Sequence, residues 1–257
     1  MEFTVLTLFP EFLDAFFQNG MIARAIEKEI ILGRAVNIRD FSTDKHHSVD
    51  DRPYGGGSGM VMTPGPLEAA VESAKQGASE AKVICMSPQG QPFTQETACR
   101  LADQGADLIF VCGRYEGIDE RVYSRWVDEE ISMGDFVMTG GEVAAMAVID
   151  SVARMIPGVL GSENSSQSDS FIDQRLEHAQ YTRPETYKGM SVPGVLLSGD
   201  HEKIRQWRKR SALERTFMKR PDLFADQAPD AEEKEILRQW CRELTAIVNE
   251  EGCNGRR

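Results

Sequence analysis

The chain has 257 residues, 41% of them hydrophobic and 27% charged, which suits one large domain or two modest ones with real cores. A net charge of −12 speaks against nucleic-acid binding by the surface as a whole, while leaving room for a local basic patch. No apolar run approaches the roughly 18 residues of a membrane span. The start, MEFTVLTLFPEFL, lacks the basic region and small-residue cleavage site of a secretory signal, and none of the five cysteines forms a CxxC pair, which argues against a zinc or disulfide framework. A cytoplasmic protein without a membrane partner is expected.

FTVLTLF (residues 3–9) is a β-rich run, and Pro10 opens a helical pattern to about Glu29. RAVNIRDF (34–41) reads as a second strand. KVICMS (82–87) and DLIFVCG (107–113) are short apolar runs closed by turn residues, as buried parallel strands are. TQETACRLADQ between them predicts a crossover helix with Thr94 as N-cap. GEVAAMAVIDSVARMI (141–156) predicts a helix that stops ahead of Pro157 and Gly158. This βαβα rhythm implies an α/β domain with a parallel sheet over residues 1–160. The polar run SENSSQSDS then reads as a linker, placed at 161–172. A small, mainly helical C-terminal domain is expected over 173–257, with helices over 200–219 and 231–250.

Four features are candidates for function. RPYGGGSGM (52–60) has three adjacent glycines, which permit positive φ or close backbone approach. It lacks the Lys and Ser/Thr of a P-loop and does not match GxGxxG, so it reads equally as a flexible turn. SPQGQPF (87–93), GRYEGIDERV (113–122) and ISMGDFVMTGGE (131–142) lie at the C-terminal ends of predicted strands, where open α/β sheets bind ligands. One such loop needs Gly and Pro merely to turn; three in one domain point to a shared pocket. HEKIRQWRKRSALERTFMKR (201–220) holds eight Lys/Arg and two Glu, interleaved with Trp207 and Phe217. That pattern suits phosphate contact with stacking, or a solvated helix face. Asp169, in SDSF, suits capping of a following helix as well as chemistry.

Together, LTLFPE, RPYGGGSGMVM, SPQGQPF, CGRYEGIDERV, EISMGDFVMTGGE, SDSF, YTRPE and RPDL resemble the bacterial tRNA (guanine-N1)-methyltransferases that modify guanosine 37, a family of the SPOUT class. The pieces extend from Leu6 to Leu223. The resemblance implies a trefoil knot in the α/β domain, where general connection rules argue for none. It implies S-adenosylmethionine as cofactor and a homodimer with active sites shared between subunits. It places cofactor contacts at Ser87, Pro88, Gln89, Gly90, Gly113, Glu116, Met133, Gly134, Asp135, Phe136, Val137, Met138, Gly140 and Gly141. These are loop residues whose main chain can bond adenine and ribose edges. Met133, Phe136 and Met138 would supply apolar walls, and Glu116 and Asp135 would face the sulfonium.

The resemblance further implies tRNA as partner, its anticodon arm bound by the C-terminal domain and the basic segment at 203–220. It makes Asp169 the general base that takes the guanine N1 proton, and Arg154 the cation near O6, where charge grows. A carboxylate of ordinary pKa, about 3.9, is a weak base and needs such help. The loop bearing Asp169 is expected to order when tRNA binds. Mg²⁺ is implied, with ligands the sequence does not place. The chain departs from the family at Met86, commonly Tyr or Leu, and at Ala179 and Gln180, often Pro and His; Glu177 keeps an acid, and His178 is a neighbouring ring. A ribose 2′-O-methyltransferase of the same superfamily would have little use for Asp169 or Arg154. An RNA-binding module without chemistry would not need three intact loops.

Overall fold

In the computed structural model, which describes residues 1–161 and 169–253, the apolar runs become strands buried on both faces. Residues 162–168, where most of the expected linker and mobile loop falls, lie outside the described residues. The chain divides into two units, Met1–Ser166 and Gln167–Arg257. The first runs β1 (Glu2–Thr7), α1 (Pro10–Phe17), α2 (Gly20–Glu27), β2 (Leu32–Asn37), β3 (Asp50–Asp51), β4 (Val61–Met62), α3 (Pro64–Lys75), β5 (Lys82–Pro92), α4 (Gln95–Gln104), β6 (Leu108–Cys112), α5 (Glu120–Trp126), β7 (Glu129–Ser132) and α6 (Glu142–Met155).

Five of these strands form one sheet in the order β2-β1-β6-β5-β7, every pairing parallel. Alternate residues divide between its faces. Phe3, Val5, Ile84, Phe110 and Cys112 pack with apolar residues of α1, α2, α4 and α6. Leu6, Val83, Cys85, Ile109 and Val111 pack with α3 and α5. Helices therefore cover both sides, which is why these strands read as continuous apolar runs. Each fully buried side chain such as Phe3 or Phe110 contributes about 1.5–3 kcal/mol.

Several elements differ from the sequence expectation, each for a local reason. The helix expected to Glu29 breaks at Asn19, whose backbone is extended and whose amide donates to the Ala15 carbonyl (2.7 Å), with Gly20 following at φ 68°. The second strand spans Leu32–Asn37, not 34–41. The Asn37 side chain accepts from the Arg39 N–H (3.0 Å) and turns Ile38–Phe41 into a 3-10 helix, a local bond that competes with the ladder. The strand expected over 82–87 continues to Pro92 through a bulge. Thr94 does cap α4, accepting from Thr97 N–H (3.2 Å).

The second unit contains a short hairpin, β8 (Thr186–Tyr187) with β9 (Met190–Ser191), then α7 (His201–Lys219), α8 (Leu223–Asp226) and α9 (Ala231–Cys253). Asp200 caps α7 by accepting from Lys203 N–H (3.1 Å). Asp230 and Glu233 form a reciprocal capping box at the start of α9: Glu233 N–H donates to Asp230 Oδ1 (2.7 Å) and Asp230 N–H to Glu233 Oε2 (2.9 Å). Asp169 caps no helix, because residues 170–173 form a turn. Among the described residues no helix is long and apolar enough to cross a membrane.

Candidate active site

A cavity of about 410 Å³ opens at the carboxyl ends of β5, β6 and β7. Its first wall is the β5 bulge. Met86 and Gln91 both pair with Ile131, so residues 87–90 leave the ladder. Gln89 N–H donates to Ser87 Oγ (3.1 Å) inside the bulge. Gly90 brings the chain back against β7: a Cβ there would lie 2.5 Å from the Glu130 carbonyl oxygen and the Ile131 nitrogen. The second and third walls are joined to each other. Gly141 N–H donates to the Gly113 carbonyl (3.1 Å), and Arg114 bridges Gly140. A Cβ on Gly141 would meet Cys112 Cα at 2.9 Å. In the third wall Ser132 Oγ accepts from Gly134 N–H (3.2 Å), and Phe136 N–H donates to the Gly134 carbonyl (2.8 Å).

Of the residues expected to meet a cofactor, Ser87, Pro88, Gln89, Gly113, Glu116, Met133, Gly134, Phe136, Val137, Met138, Gly140 and Gly141 line this cavity. Gly90 and Asp135 do not. Gly90 backs onto β7, and Asp135 is exposed. The sequence reading missed Arg114 and Glu142, although both lie in quoted motifs. Glu142, 1% exposed, accepts from Thr7 Oγ1 (2.8 Å) and Arg114 Nε (3.1 Å) through Oε1. Its Oε2 lies 2.9 Å from Arg114 Nη2 without a hydrogen bond of its own. Arg114 Nη1 donates to the Thr139 carbonyl (3.1 Å), and its guanidinium lies 4.5 Å from the Phe9 ring centroid. One buried carboxylate thus ties β1, the loop after β6 and the loop before α6.

The glycine-rich stretch supports the cavity without lining it. Gly55, Gly56, Gly57 and Gly59 all have positive φ, which L side chains rarely adopt. The chain then docks on the loop after β6: Glu116 N–H donates to the Met60 carbonyl, Met62 N–H to Gly117 and Asp119 N–H to Met62, each at 3.0 Å. Electrostatics around the sheet favour neutral sulfur. Burial pushes the Cys85 thiol up to about 12 and raises Cys112 as well, so neither serves as a nucleophile at neutral pH. Burial, then the neighbouring Cys85, raises the Tyr123 phenol.

Arg154 is half-buried on the last turn of α6 in the first unit. Asp169, in the second unit, is half-buried and lines a cavity of about 580 Å³ with Arg175, Arg208, Lys209 and Glu233. The basic segment is largely paired within its own unit. Arg205 reaches Glu202 (2.7 Å) and Glu232 (3.5 Å), Lys209 reaches Glu232 (2.5 Å), and Arg210 reaches Glu214 (2.7 Å) and Glu243. Trp207 packs on His178 and Tyr181, and Phe217 on Trp240. Arg208 makes no ion pair among the described residues. Among those residues no group of three His, Cys, Asp or Glu side chains gathers to hold a metal.

A sequence model of the family described as tRNA (Guanine-1)-methyltransferase TrmD matches residues 1–226. The chain belongs to this family. It is 49% identical to a tRNA (guanine-N(1)-)-methyltransferase of Desulfatibacillum aliphaticivorans over 99% of the chain and 97% of the relative. Relatives of the same name from Geotalea uraniireducens and Bacillus cereus are each 49% identical, covering 98% and 95% of the chain and all of each relative. The TrmD family match takes in all three cavity walls and Asp169, and ends at Asp226, so α9 lies beyond it.

Proposed function

We propose that the protein transfers a methyl group from S-adenosylmethionine to N1 of guanosine 37 in tRNA, as a homodimer of the SPOUT class with a knotted first unit. One observation carries the reading: the family match spans both the cavity walls and Asp169. The cavity fits the cofactor's chemistry. Glycines at 140 and 141 leave main chain where a Cβ would collide. Phe136, Val137 and Met138 are apolar, and Glu116 and Glu120 are acidic. When bound, S-adenosylmethionine supplies a methyl group carried on a positive sulfonium. Exposed apolar side chains beside lining residues, Phe9 against Arg114 and Val143 next to Ala144, support burial against a second copy.

The target base must leave its stack to meet the methyl donor. The Asp169 carboxylate takes the N1 proton as the nitrogen becomes nucleophilic, and Arg154 stabilises the charge that grows on O6. The second unit binds the anticodon arm. The acidic side chains described do not assemble a site for Mg²⁺, and proton transfer is assigned to Asp169 alone. Incubation with labelled cofactor and a tRNA transcript carrying G37 will place label in 1-methylguanosine. Label in a 2′-O-methyl nucleoside rejects the proposal. Asp169→Ala will keep cofactor affinity by calorimetry and lose methyl transfer by about 10²–10⁴-fold; near-wild-type turnover removes Asp169 from the base role.

A further inference from the structure

We infer that Arg175 and Glu233 are positioning residues for Asp169, fixing the backbone that follows it; the inference rests on the base role proposed above. Arg175 is 8% exposed. Its five hydrogen bonds use all five guanidinium N–H donors. Nε and Nη2 reach the two oxygens of Glu233 (3.1 and 3.2 Å). Nη1 donates to the carbonyls of Gln174 (3.1 Å) and Leu223 (3.2 Å), and Nη2 to that of Gln227 (3.0 Å). The guanidinium lies 4.4 Å from the Phe224 ring centroid. Its acceptors thus belong to the turn before Arg175, to both ends of α8 and to the first turn of α9. Glu233 is itself held by the Asp230 capping box, so the partner is rigid.

The fixation runs from Arg175 back to Asp169. Phe171 N–H donates to the Arg175 carbonyl (2.8 Å), and Ile172 N–H donates to the Asp169 carbonyl (3.4 Å). Glu177 N–H donates to Ser170 Oγ (2.9 Å). On the other side Leu176 N–H donates to Thr216 Oγ1 (2.9 Å) on α7. Asp169, Arg175 and Glu233 line one cavity. A buried ion pair adds little net stability over an apolar replacement, because desolvation offsets the attraction, but it holds one geometry. A general base must sit within hydrogen-bond reach of its proton. Lysine cannot replace this arginine, since it offers one charged point in place of a planar fork.

The test uses the full chain, with Arg175→Lys and Glu233→Gln made separately and each also in an Asp169→Ala background. Single-turnover methyl transfer is followed at saturating cofactor and G37 tRNA, with calorimetry for cofactor Kd and filter binding for tRNA Kd. In the otherwise wild-type chain each substitution lowers the rate by about tenfold to a hundredfold, with both Kd values kept within twofold. In the Asp169→Ala background, where no carboxylate remains to be positioned, the residual rate stays within about twofold. Equal fold losses in both backgrounds overturn the inference, because the effect then does not pass through Asp169. Unchanged rates in both variants overturn it while leaving the base role standing. Wild-type turnover by Asp169→Ala overturns the base role and this inference with it. Should Arg175→Lys melt early, Glu233→Gln, which keeps the side-chain shape, decides alone.

Discussion

Gly90→Ala tests whether the β5 bulge builds the cavity proposed to take the cofactor. The backbone at Gly90 is not in the left-handed region, so alanine meets no φ strain there. The whole cost is steric. The new methyl would lie 2.5 Å from the Glu130 carbonyl oxygen and the Ile131 nitrogen. Those atoms are backbone of β7, held by the Gln91–Ile131 pairing, so no side-chain rotation relieves the clash. Ordinary contact requires the bulge and β7 to part by about 1 Å. Overpacking of this kind costs about 1–3 kcal/mol, a fall in Tm of roughly 2–12 °C for a domain of this size. Because residues 87–89 line the cavity, S-adenosylmethionine affinity drops about tenfold, equivalent to about 1.4 kcal/mol. Scanning calorimetry and titration calorimetry read the two effects. Gly194→Ala, at an exposed position with no positive φ and no atom beyond its chain neighbours within 4 Å of the added methyl, serves as control and should leave both readings unchanged. A Gly90→Ala protein that melts and binds like wild type refutes this account of the bulge.

Glu142→Gln removes the charge facing Arg114 while keeping an acceptor for Thr7, and should lower the denaturant midpoint by an amount equivalent to about 1–3 kcal/mol; an unchanged midpoint would mean that β1 and the two loops are held by packing alone. The raised Cys85 pKa gives a pH dependence of definite sign. The folded thiol keeps its proton up to about 12, whereas the unfolded thiol loses it near 9.0. The stabilisation is therefore complete below pH 9.0 and is lost as pH rises towards 12, by about 1.4 kcal/mol per pH unit. Denaturant midpoints from pH 8 to 11 should fall less steeply in Cys85→Ala, and parallel curves would contradict the assignment. Among the basic residues of α7, Arg208→Ala should weaken tRNA binding and reduce its salt slope without shifting Tm. Arg210→Ala should cost about 0.2–1 kcal/mol, since its pairs with Glu214 and Glu243 are partly exposed. The reverse ranking on RNA binding would return Arg208 to a solvated face.

The sheet was legible because its central strands are buried on both faces and so leave unbroken apolar runs, VIC at Val83–Cys85 and LIFVC at Leu108–Cys112. The cavity walls were legible as Gly- and Pro-rich ends of those runs. The β5 extension was not, because Pro88 and Gly90 carry turn chemistry that a bulge uses as readily as a loop. The close approach of Gly90 to β7 was not legible either, because Glu130 and Ile131 lie some forty residues later in the chain. The pairing of the basic segment was not legible because several of its neutralising acids are distant in sequence. Lys209 pairs with Glu232 and Arg210 with Glu243, 23 and 33 residues away. Arg175 gave no signal at all, since four of its five bonds go to partners 48 to 58 residues later.

That spacing also orders events during synthesis. The first unit and Asp169 leave the ribosome before Glu233 has been added, 58 residues after Arg175. At about 5–20 residues per second, the interval is roughly 3–12 s. A nascent chain can therefore shape the cavity of its first unit while the segment bearing Asp169 still lacks its anchor. Glu233 completes a fixation that begins 58 residues upstream, at Arg175.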